Sequence, residues 1–82
     1  MNEAEILEKV KEVVSEVLGV DKDKIGLEDR FVEDLGAESV QSLELVAAFE
    51  EKFGIEMDEE KALEVKTVGK AVEFIKEYIA KK

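Results

Sequence analysis

The stretch VQSLELVAAFEEKFG, residues 40–54, sets Val40, Leu43, Leu45, Val46, Ala47, Phe49 and Phe53 at spacings that return every three or four residues. That period belongs to an amphipathic helix, whereas a half-buried strand would alternate every second residue. Gly54 stands where a left-handed cap ends such a helix. The polar side carries Glu44, Glu50 and Glu51, with Lys52 as the only cation of the stretch. Carboxylates in a last turn oppose the helix macrodipole, so Glu50 and Glu51 read as residues kept for a basic docking partner or for solubility.

Working outward, residues 3–18 repeat the helical pattern with Ile6, Leu7, Val10, Val13, Val14, Val17 and Leu18. Asn2 and Glu5 have the spacing of a capping box, and Gly19 marks the other end. From Gly19 to about Ala37 the periodicity fades. Ile25, Leu27, Phe31, Val32 and Leu35 remain as apolar anchors, which predicts a long loop packed down on the rest of the chain. Asp21, Asp23 and Gly26 fit positions 1, 3 and 6 of a calcium-binding loop, but Ile25 and Val32 stand at positions 5 and 12, where ligands are needed, so the motif is set aside. Past Gly54, Asp58 can cap a short turn or helix over residues 59–64. Thr67 can cap a last helix with Val68, Ala71, Val72, Ile75 and Ile79 inward. No stretch alternates convincingly with period two. The prediction is an all-α, four-helix bundle with three longer helices, a short third one and a long loop between the first two, forming one domain over residues 1–82.

Composition removes several functional classes. The chain has no histidine, cysteine or proline. Disulfides and ordinary zinc or iron–sulfur sites are therefore absent from its chemistry, and the fold rests on packing. The longest apolar run is the five residues 45–49, far too short to span a bilayer, which predicts a cytoplasmic chain without membrane insertion. The net charge is −10, distributed as −4 over residues 1–32, −9 over 33–64 and +3 over 65–82. Phosphate backbones and anionic lipid would be repelled by such a surface, so no nucleic acid is expected as a ligand and partners should be basic.

Ser39 and Ser42 sit within this acidic third. With no imidazole to activate them, self-sufficient Ser-His-Asp catalysis is excluded. Ser39 falls at the first turn of the central helix, where unpaired N–H groups and the positive end of the dipole favour an anion. A phosphate on Ser39 would be well placed there. The plainer explanation from position alone is that Ser39 only caps the helix. Ser42 lies about 300° further round.

FVEDLGAESV, residues 31–40, resembles the DLGADSL signature around the modified serine of acyl carrier proteins. The likeness continues through LGV at 18–20, LELVAAFEEKFGIE at 43–56 and TVGKAVEFI at 67–75. It implies that the chain is a carrier and no enzyme. Ser39 would hold a 4'-phosphopantetheine arm, donated by coenzyme A through a phosphopantetheinyl transferase. The arm would carry acyl groups as thioesters to fatty-acid or related biosynthetic enzymes with basic surfaces, and the carrier would act as a monomer. The same resemblance assigns partner docking to Glu38, Val40, Leu43, Glu44, Glu50 and Glu51. Departures are also visible: Glu38 replaces aspartate, Val40 replaces leucine, and Gln41 stands where an acidic residue or asparagine is common. Each touches transferase recognition and is expected to slow loading. If loading were lost, the chain would be an unmodified acidic docking subunit. Phe49 and Met57 are larger than the residues many relatives place in the acyl cleft, and Asp58 replaces a common proline.

Overall fold

The computed structural model describes residues 2–80, and among them the only regular elements are helical. Four α-helices follow in order: α1 Glu3–Leu18, α2 Ser39–Phe53, α3 Glu59–Leu63 and α4 Val68–Ala80, with a single 3₁₀ turn at Lys22–Lys24. The predicted all-α bundle is the observed one. α3 ends one residue earlier than expected, with Glu64 at its C-cap.

The helix ends follow from identifiable groups. Asn2 accepts the Glu5 N–H at 2.9 Å, and Gly19 and Gly54 close α1 and α2 with φ of 71° and 65°. In that region a Cβ would be strained, which is why glycine holds both positions. Asp58 accepts from the N–H groups of Glu60 and Lys61. Thr67 Oγ1 accepts from Lys70 N–H at 3.2 Å.

α1 packs against both α2 and α4. The core comprises Ile6, Val10, Val13 and Val14 from α1, Leu45 and Phe49 from α2, Val68, Ala71, Val72 and Ile75 from α4, and Ile25, Phe31, Ala37 and Ile55 from the connections. Among the described residues no polar side chain is buried. Outside the core, Lys22 pairs with Glu8, and Lys52 of α2 with Glu12 of α1 at 3.0 Å. Exposed to solvent and screened by it, these pairs contribute little to stability.

The long loop is fastened to the start of α4 by its backbone. Val68 N–H donates to Asp29 O at 3.0 Å and Gly69 N–H to Leu27 O at 2.8 Å, so the loop satisfies two of the donors that open α4. Phe31 N–H donates to Lys66 O at 3.0 Å, and Arg30 and Thr67 form one isolated antiparallel bridge. Gly69 permits this approach, since a Cβ there would lie 3.1 Å from Leu27 O. Two of the five anticipated anchors do not serve as such. Leu27 and Val32 are 49% and 53% exposed, because the loop is held at those points by main-chain bonds and not by their side chains. No described helix is long and apolar enough to cross a membrane.

Candidate functional site

The site is assembled where the loop enters α2. Asp34 N–H and Leu35 N–H both donate to Arg30 O at 3.0 Å, and Ala37 N–H donates to Phe31 O at 2.8 Å. The chain therefore coils back on itself just before the helix, with Gly36 at φ 74° making the reversal. Asp34 closes the coil. Its Oδ2 accepts from Arg30 N–H at 2.8 Å and from Arg30 Nε at 3.1 Å. The backbone bond first, then the guanidinium, holds the Asp34 carboxyl below its ordinary range. A depressed carboxyl contributes stability that is present above the unfolded-state value and lost as pH falls through the folded one. We expect carbon-detected NMR to show Asp34 titrating below the ordinary aspartate value, and Arg30→Ala to move it upward. An ordinary midpoint in the unaltered chain would refute the clasp.

Ser39 is the first residue of α2, and its N-cap is Glu38. Hence the plain capping role for Ser39 does not hold. The cap is formed by its neighbours, with Gln41 Oε1 accepting the Glu38 N–H at 2.9 Å, the returning arm of a capping box. The two departures at Glu38 and Gln41 are thus one device. The Ser39 hydroxyl is exposed and makes no hydrogen bond among the described residues. It stands beside the unpaired N–H groups of a helix start. Ser42, half-buried, points back instead, donating from Oγ to Glu38 O at 3.4 Å.

One turn beyond Ser39 an apolar cavity of about 290 Å³ opens between α2, α3 and α4, and Ser42 lies on its wall. Leu45, Phe49, Met57, Ala62, Phe74 and Ile75 supply much of the lining. Phe49 is only 5% exposed and belongs to the core as well. Both large residues singled out in the sequence, Phe49 and Met57, therefore face this space. No polar side chain buried in the lining demands a partner, so the cavity suits an aliphatic ligand.

The remaining residues singled out for docking divide. Val40 and Leu43 are 60% and 43% exposed on α2, and Glu38, Glu44 and Glu51 are exposed beside them. Glu50 differs from the expectation that it lies on the exposed face, being half-buried with Oε2 accepting from Met57 N–H at 2.8 Å. Asp21, set aside as a calcium ligand, accepts from Asp23 N–H at 3.0 Å to start the 3₁₀ turn. Among the described residues no cluster of three acidic side chains is arranged to hold a metal.

Comparison with known proteins agrees with this geometry. The family model for the phosphopantetheine attachment site matches residues 8–75. An acyl carrier protein of Thermosynechococcus vestitus is 48% identical over 80 residues, spanning 98% of this chain and 99% of the relative. One from Guillardia theta is 45% identical over the same share of each. A solved Mycobacterium tuberculosis structure assigned to the acyl carrier proteins superposes with a TM-score of 0.82 at 25% identity, covering 89% of this chain and 97% of the other.

Proposed function

The chain belongs to the acyl carrier protein family, and from that premise we propose that Ser39 bears its 4'-phosphopantetheine arm. The observation that carries this reading is the exposed, unbonded Ser39 hydroxyl at the first position of α2. The N–H groups of that turn and the helix dipole favour the phosphodiester anion. When bound, the arm supplies the terminal thiol that a chain without cysteine lacks, and so carries acyl groups as thioesters.

Ser39 needs no base of its own. Its Oγ forms the bond to phosphorus while the phosphoanhydride of coenzyme A breaks, adenosine 3',5'-bisphosphate leaves with the electron pair, and the proton passes to a base on the phosphopantetheinyl transferase. Nearby, Gln41 holds the N-cap closed and keeps Ser39 at the helix start. Glu38, Glu44 and Glu51 are exposed on α2 and at its N-cap beside the exposed apolar side chains of Val40 and Leu43. Such a surface suits enzymes with basic docking faces.

The cavity beyond Ser42 is the resting place of the acyl chain in this reading. A group the size of a water takes about 30 Å³ of liquid volume, so the cavity has room for on the order of ten methylene-sized groups. That favours medium-length fatty acyl cargo, carried by a monomeric domain working in the cytoplasm. The test is to load the protein from octanoyl-coenzyme A with a broad-specificity transferase and treat it with neutral hydroxylamine. We expect an octanoyl adduct whose acyl part is released as the hydroxamate, leaving the arm attached. An adduct that hydroxylamine leaves intact even after the protein is unfolded in denaturant, or none at all, contradicts a thioester carrier.

A further inference from the structure

The turn between α2 and α3 is held at two consecutive backbone donors by side chains from two different helices. Met57 N–H donates to Glu50 Oε2 at 2.8 Å, and Asp58 N–H donates to Tyr78 Oη at 2.9 Å. Glu50 comes from the last turn of α2 and Tyr78 from the last turns of α4. Tyr78 is itself placed edge-on against Phe74, with ring centroids 5.0 Å apart. Phe74 and Met57 both line the apolar cavity.

Beyond that turn α3 has little of its own to hold it in place. It is five residues long and buries only Ala62, and a helix that short has no independent stability. Its position, and that of Met57 at the cavity wall, must be set by the connections at its ends. A carboxylate that served only to attract a basic partner would extend into solvent. Glu50 instead turns in and accepts a charge-assisted bond, which is stronger than a neutral one. The methionine it fixes is a flexible side chain suited to filling an irregular space.

We propose that Glu50 and Tyr78 form a two-point latch that holds Met57 against the cavity and thereby sets the longest acyl chain the cavity accepts. The inference rests on reading the cavity as the acyl site. With the latch closed, Met57 and Phe49 bound the space. With either bond removed, the turn and α3 move outward more readily and the space lengthens.

Amide hydrogen exchange and acyl protection test it together. In the unacylated protein, Glu50→Ala should speed exchange at Met57 by about tenfold, the loss of one hydrogen bond to a charged acceptor. Glu50→Gln, which keeps an acceptor oxygen and removes the charge, should change it by less than about threefold. Tyr78→Phe should speed exchange at Asp58, and Glu51→Ala, which removes a neighbouring charge without a latch bond, should alter neither amide. In thioesters of six to sixteen carbons, hydroxylamine cleavage should be slow up to a limiting length and fast beyond it. Glu50→Ala and Tyr78→Phe should move that limit to longer chains. Unchanged Met57 exchange in Glu50→Ala, or faster exchange with an unmoved limit, overturns the latch. Equal cleavage rates at every length in the unaltered protein would refute the acyl-cavity reading itself, and the length claim with it.

Discussion

Ser39→Ala is expected to take up no phosphopantetheine under conditions that load the unaltered chain to completion, and to melt within about 3 °C of it. Both halves follow from the same local structure. The Ser39 hydroxyl supports nothing in the fold, since it is exposed and makes no hydrogen bond among the described residues. The helix is capped by Glu38 and Gln41 instead, and alanine is a good helix former at the position it would enter. Ser42→Ala should load normally, because its hydroxyl is half-buried and directed at Glu38 O. Loading is read by intact mass and stability by thermal melting. If Ser39→Ala loaded as well as the unaltered chain, the assignment of the serine would be wrong. If it unfolded, the reading of the cap would be.

Ile75→Ala should lower stability by about 2–5 kcal/mol. Ile75 is 1% exposed on the inner face of α4, where it belongs to the core and also borders the cavity. Removing its outer carbons joins a new void to an existing one, and α1 and α2 cannot close over it without losing their own contacts. A domain of this length has roughly 4–12 kcal/mol of stability in total, at about 0.05–0.15 kcal/mol per residue. The substitution therefore removes a large share of it. Urea unfolding should register the loss directly, with the slope unchanged. A loss below about 1 kcal/mol would mean that the surrounding helices collapse freely around the cavity, against the packing described.

The helices were legible because their apolar residues recur with a helical period and their ends carry the groups that caps require. Asn2, Gly19, Gly54, Asp58 and Thr67 all act as their positions in the sequence suggest. The site was legible to the extent that it is local: Ser39 opens α2 because Gly36 and Ala37 precede a periodic run. What escaped was one local pairing and otherwise tertiary. The pairing of Glu38 with Gln41 has the spacing of a capping box but begins with a glutamate, an uncommon cap. The inward turn of Glu50 has no local signal, because its partner, Met57 N–H, is brought near only by the bend after Gly54. Tyr78 meets Asp58 across 20 residues of sequence, and no periodicity encodes that. Leu27 and Val32 look like anchors by composition, yet the loop around them is held by carbonyls bonded to the start of α4. Hydropathy has no means of expressing such bonds.

The carrier assignment turns on one oxygen atom. Peptide fragmentation of the protein loaded from coenzyme A locates the added phosphopantetheine mass on a single residue. The mass is predicted on Ser39, with Ser42 and every other hydroxyl unmodified. Its appearance on Ser42 or elsewhere, or its absence with every transferase of the native host, would contradict the account.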